Sequence, residues 1–199
     1  MAISLGFFII WMNLFEVNFL AILLLFLMTP AMQFLVSPLM TLLGVYKYLS
    51  PMLLVYAARP ELYDLHNGTS FDYLFHYRKT RSGNQWQNRL LLYYIQGLLE
   101  VIRQIESEQL PATIEVRGST YFLADSTIER LGFEAHPTVW YEKANLVINY
   151  LDLIWMYSLS KGKLSLPKMS NVKTATTTGE RLVAQKSKLE SLKAFLEKR

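Results

Sequence analysis

The stretch from Ile3 to Tyr46 constrains this chain more than any other, because Glu16 is its only charged residue. A bilayer core about 30 Å thick needs about 20 apolar residues in helix. The run is long enough for two crossings, or for one long tilted crossing preceded by an interfacial helix. In the first arrangement Thr29 caps and Pro30 opens the second helix, since proline at the first helical position gives up an N–H that would be unpaired anyway. Glu16 then sits near the middle of the first crossing, at a cost of about 2.5–3.5 kcal/mol. In the second arrangement Asn13, Glu16 and Asn18 lie at the interface, and one helix runs from Phe19 into the mid-forties, kinked at Pro30 and Pro38. Neighbouring groups must then satisfy the freed carbonyls. Both arrangements stay open. A signal peptide is not expected, because no Lys or Arg precedes the run and no small-residue cleavage site closes it.

Both arrangements give one orientation. Lys47, Arg59, Arg78, Lys79, Arg81 and Arg89 all follow the run, and basic residues stay on the cytoplasmic side. The expectation is a membrane protein with the residues after Lys47 facing the cytoplasm. Hydrophobic residues make up 52% of the 199 and charged ones 18%. The apolar excess lies in the first quarter, so the remainder has the composition of an ordinary water-facing domain. The whole chain's net charge of +4 suits anionic lipid, where each basic side chain near the surface gains roughly 1 kcal/mol, or nucleic acid, and by itself selects neither. The chain has no cysteine, which excludes disulfides, thiolate metal ligands and a cysteine nucleophile.

The pattern predicts a membrane-anchored α+β protein. One or two transmembrane helices (1–48) precede a small domain of long helices with a short antiparallel sheet (49–165), and a connector with a basic C-terminal helix follows (166–199). Pro51–Ala57 and the alternating segment Glu61–His66 predict a β-hairpin closed near Ala58–Pro60. Asn67-Gly68 is a turn signal, and Thr69 or Ser70 caps a helix from about Phe71 to Lys79. Gln85–Glu106 is amphipathic, with Leu91, Ile95, Leu98, Ile102 and Ile105 at helical spacing. Thr113–Val116 predicts a strand, with a turn at Arg117-Gly118 and a further strand at Tyr121–Leu123. A short helix follows from Asp125 or Ser126 to Leu131 and ends at Gly132. Thr138–Ser160 predicts one long helix, apolar except for a stripe of Glu142, Asn145, Asn149 and Asp152, and suited to a core position leaning on the membrane face. Gly162–Gly179 suggests an extended connector, and Glu180–Arg199 a loosely held basic helix.

Two sets of residues carry candidate chemistry. Asp64 and His66 share a strand face, and Asp72 and His76 share a helix face. Four N/O ligands on a strand–turn–helix are a weak candidate metal set, with imidazole favouring zinc or iron. The spacing matches no standard metal motif, and a turn flanked by a first-turn helix acid accounts for the same residues. Glu142 and Asp152 on the apolar helix are weak catalytic candidates, because a buried acid can serve as a proton donor. Water-facing or ion-paired acids are the plainer alternative. No phosphate loop, dinucleotide fingerprint or nucleophile elbow appears, so the cofactor is unknown. Phe195 stands alone among the charges of the C-terminal helix, and bases stack on repeated aromatics, so nucleic acid is not an expected partner. Membrane lipid and a protein partner are. The functional expectation is a partner-binding scaffold or accessory subunit. The alternative is a membrane-bound enzyme acting on a lipid or lipid-linked substrate.

Overall fold

The computed structural model of the protein describes residues 21–77 and 80–198. It is an α+β domain with eight α-helices and one six-stranded mixed sheet among these residues. The segment expected to form the first crossing, with Glu16, lies outside them. The first described helix, α1 (Ala21–Leu42), continues through Thr29 and Pro30, so the chain does not turn back at that point. Among the described residues no helix is long and apolar enough to cross a membrane.

A three-stranded antiparallel meander opens the sheet: β1 (Tyr46–Ser50), β2 (Leu53–Tyr56) and β3 (Leu62–Asn67). The β2–β3 hairpin falls where the alternation of the sequence puts it. Strand β1 was not expected, because Tyr46 closes the apolar run and Lys47 looks like a membrane-flanking charge. Instead the Lys47 ammonium turns inward and donates to the Tyr63 hydroxyl at 2.6 Å and to Gln104 Oε1 at 2.9 Å.

Helices α2 (Ser70–Tyr77) and α3 (Asn84–Glu106) make the crossover to β4 (Glu115–Thr120), which lies parallel to β3. Parallel neighbours require such a helical crossover. Strand β4 runs straight through Arg117-Gly118, where a turn was expected, and Tyr121–Leu123 forms no strand. Short helix α4 (Asp125–Arg130) ends at Gly132, whose φ of 89° is the left-handed conformation that glycine tolerates.

Two more strands complete the sheet. Strand β6 (Lys173–Thr178) inserts between β4 and β5 (Glu134–Pro137), giving the order β1-β2-β3-β4-β6-β5. The sheet is therefore larger than the short antiparallel one expected, and its threonine-rich member is a central strand rather than a connector. The expected long helix Thr138–Ser160 is two helices, α5 (Trp140–Ile148) and α6 (Tyr150–Lys161). They break at Asn149, whose side-chain amide donates to the Asn145 carbonyl at 2.9 Å and to Asn145 Oδ1 at 3.1 Å. Helix α6 buries Asp152, Leu153 and Met156, whereas α5 buries no residue. The C-terminal segment also forms two helices, α7 (Gly179–Ala184) and α8 (Lys186–Glu197). These are not loose. Leu182 and Leu189 are fully buried and Leu196 nearly so, packed against α3.

The period-2 geometry of strands sorts the sheet into two faces. Leu53, Val55, Tyr63, Val116, Ala175 and Thr177 are buried on the face covered by α3. Its α3 partners include Ile95, Leu98 and Ile102, and beneath them Trp86 is fully enclosed. Leu54, Asp64, His66, Ser119 and Thr174 alternate with these and point to the opposite face. That face carries a cleft of mixed polar and apolar lining.

Candidate functional site

The β3–β4 ladder runs from Leu62↔Glu115 to Leu65↔Gly118, while β3 continues to Asn67 and β4 to Thr120, each held by its other neighbour. A Cβ at Gly118 would come within 2.9 Å of the Leu65 carbonyl oxygen, so the close approach at the end of the ladder needs glycine. In open sheets, ligands characteristically bind beyond the carboxyl ends of parallel strands at a change in strand order. Beyond this pair lies a cleft of about 500 Å³.

Strands β1 and β2 contribute to the apolar and aromatic part of its wall with Tyr46, Leu54 and Tyr56, and Tyr121 follows from the end of β4. Strands β3 and β4 supply Asp64, His66, Asn67 and Ser119, and the turn into α2 adds Gly68, Thr69 and Ser70. Helices α5 and α6 supply Glu142, Asn145, Asn149 and Asp152, and α1 adds Ser37. A smaller, mostly apolar hollow on the α3 side of the sheet, lined by Tyr94, Leu98, Phe122 and Phe133, shares Leu65, Asn67 and Ser119 with this cleft. The two cavities therefore meet where the parallel ladder ends.

Asp64 and His66 stand side by side on β3, with His66 Nε2 3.7 Å from Asp64 Oδ1. The other Asp64 oxygen accepts from Arg117 Nη2 at 3.2 Å. Loss of solvent around the ring pushes the His66 pKa below the usual imidazole value, although the side chain keeps 46% of its surface exposed. Asp64 and Glu142 oppose that shift and Arg117 adds to it. Glu142 Oε2 accepts from Ser119 Oγ at 2.6 Å and from Thr174 Oγ1 at 2.9 Å, which ties α5 to β4 and β6. Asp152, 1% exposed, accepts at Oδ1 from Ser70 Oγ at 2.8 Å and from Trp155 Nε1 at 3.2 Å. Its Oδ2 has no hydrogen-bond partner among the described residues.

The structure thus unites residues that the sequence presented as two unrelated sets. Asp64, His66, Glu142 and Asp152 line one cleft; Asp72 and His76 do not. The Asp72 carboxylate is buried, and its Oδ2 accepts from the Thr69 N–H at 2.7 Å, from Thr69 Oγ1 at 2.9 Å and from the Tyr48 hydroxyl at 2.8 Å. This is the return half of a capping box, in which an acid in the first turn reaches back to the amide of the residue preceding the helix. Burial, together with Asp72, holds the Tyr48 phenol well above its usual pKa. His76 Nδ1 lies 2.9 Å from the Asp72 carbonyl, with its ring edge-on to Tyr93. Among the described residues no group of three or more acids and histidines could hold a metal ion.

Sequence reasoning gave no site role to Ser119 and Thr174 and took Ser70 only as a possible helix cap, whereas all three hold the acids. A lone hydroxyl in a strand or cap gives no pattern of its own. Comparison with protein-family models, with curated proteins and with solved structures finds no match to this chain. The cleft is consequently interpreted from its own chemistry.

Proposed function

We propose that this is a membrane-anchored domain that binds a lipid or lipid-linked ligand in the cleft, with Asp64, His66 and Glu142 as its acid–base groups. The observation that carries this reading is the convergence of those side chains with Asp152 in one concave site, since convergent polar groups in a large pocket are the usual mark of a ligand site. Two further features support the lipid part. The run before Lys47, with one charged residue, has the composition of a bilayer segment, and Ser37 of α1, the helix in its second half, lines the cleft. The described end of α1 also leaves Leu35, Leu39, Leu42 and Leu43 50–85% exposed, and contiguous exposed apolar surface marks a site of contact with lipid or protein.

The test is lipid analysis of the full chain purified in mild detergent, beside Asn145→Trp, which fills the cleft from α5. The expected result is a co-purifying lipid in the wild type that is lost from the variant. Equal lipid content in both proteins would overturn the cleft assignment, and an intact chain that fails to float with vesicles would overturn the anchor.

A second reading, a scaffold that recruits a protein partner, draws on α5. Trp140 is 79% exposed there, with Tyr141, Val147 and Ile148 also on the surface, and aromatic residues are enriched at protein interfaces. A stoichiometric partner lost on Trp140→Ser would favour it.

A further inference from the structure

A buried carboxylate oxygen without a donor is costly, and in native structures such a group calls for an explanation. Asp152 Oδ2 is in that position while Oδ1 is fully engaged by Ser70 and Trp155. Asp152 lines the cleft together with two more carboxylates, Asp64 and Glu142, and with His66, and among the described residues no lysine or arginine is in the lining. The Arg117 guanidinium is committed to Asp64. A negative field over an unfilled acceptor repels phosphate or carboxylate heads and suits a cation that also donates hydrogen bonds. An ammonium has three donors on a compact charge. A hydroxyl would meet the hydrogen-bond need and leave the charge uncompensated.

We propose that the ligand of this cleft carries an amino group, and that the group binds at Asp152 Oδ2. This rests on the reading of the cleft as a ligand site. The probes that test it are hexylamine, hexanol and hexanoate, which share one tail. Each is titrated against the full chain in nanodiscs by saturation-transfer NMR, for the wild type, Asp152→Asn and Asn145→Trp. The expected result is hexylamine at least ten-fold tighter than hexanol, no hexanoate binding, and at least a ten-fold loss for hexylamine in Asp152→Asn. Wild-type selectivity alone decides the matter if Asp152→Asn does not fold. Hexanol equal to hexylamine, or no binding of any probe, overturns the amine assignment. Probes that bind alike and are all displaced in Asn145→Trp leave the cleft a ligand site and remove only the amine. Probes that bind Asn145→Trp as they bind the wild type remove the cleft itself.

Discussion

Replacing Asp72 by alanine separates a structural acid from a metal ligand. In the structure Asp72 Oδ2 is the shared acceptor of three donors, the Thr69 N–H, Thr69 Oγ1 and the Tyr48 hydroxyl. Losing the cap on α2 costs about 1 kcal/mol. Removing a charged acceptor from the half-buried Tyr48 hydroxyl costs about 1.5–3 kcal/mol, and the Thr69 hydroxyl can turn to water. The total is about 3 kcal/mol, which for a chain of this size is a fall in Tm of roughly 6–12 °C. Asp72→Asn keeps an acceptor oxygen and loses about half as much. His76→Ala removes one contact to a carbonyl and costs under about 1 kcal/mol. Thermal unfolding of the full chain in one detergent, with and without added zinc, measures all three. If Asp72 and His76 held zinc, a hundred-fold excess over Kd would stabilise the wild type by about 2.7 kcal/mol, and both variants would lose that gain. A zinc-dependent rise in wild-type Tm that is absent from both variants would refute the capping argument, as would an Asp72→Ala protein that melts with the wild type.

Three other perturbations test the packing and electrostatics on the two faces of the sheet. Gly97→Val on α3 is expected to destabilise by about 1–3 kcal/mol, because a Cβ there already comes within 2.6 Å of Leu53 Cδ2; denaturant midpoints check it. Gln104→Leu leaves the Lys47 ammonium and the Tyr63 hydroxyl without their shared acceptor and is expected to cost about 2–3 kcal/mol, whereas Lys47→Met with Gln104→Leu recovers part of that loss in a double-mutant cycle. His66 binds its proton less tightly in the folded protein than in the unfolded chain. Its contribution to stability is therefore complete above the ordinary imidazole value near 6.5 and is lost as pH falls below it. His66→Asn is expected to flatten the decline in Tm between about pH 7 and pH 5, and an unchanged slope would contradict the lowered pKa. Glu100 has its pKa lowered to about 2, chiefly by the Arg103 guanidinium. The same linkage, with the same proton preference, makes its small, solvent-screened contribution complete above the ordinary carboxylate range and lost only as pH falls towards the lowered value.

What the sequence revealed about the fold, and what it hid, has a physical pattern. Amphipathic elements were legible: α3 shows its buried stripe at helical spacing, and the β2–β3 hairpin shows its alternation, because in both the apolar residues repeat with the backbone period. Elements buried by polar side chains were not. Strand β6 is KTATTT, with no large apolar residue, yet it sits inside the sheet. Its threonines reach inward because their hydroxyls are satisfied, Thr177 by the Gly132 carbonyl at 2.7 Å and Thr174 by Glu142. The β-branched composition was the available signal. Lys47 is the converse case, a charge whose amine is tied inward by partners 16 and 57 residues away.

The cleft was half legible for a related reason. A site assembled by a sheet has its residues scattered in sequence, and only those with side chains rare on apolar faces stand out singly. Glu142 and Asp152 did so as a stripe on an apolar stretch, and Asp64 and His66 as an alternating pair. Nothing local could say that the first pair faces the second, because that follows from β4 pairing in parallel with β3 and from the break at Asn149, which lets α5 reach the sheet while α6 enters the core. Had Thr138–Ser160 been one straight helix, Glu142 and Asp152 would lie about 15 Å apart along its axis at 1.5 Å per residue. Restoring that helix with Asn149→Ala, which strengthens helical propensity where the amide now caps the break, should loosen Glu142 from Ser119 and Thr174. The expected consequence is weaker ligand retention in the cleft with little loss of global stability. Unchanged lipid content alongside a measured gain in helicity would show that the break has no part in forming the site.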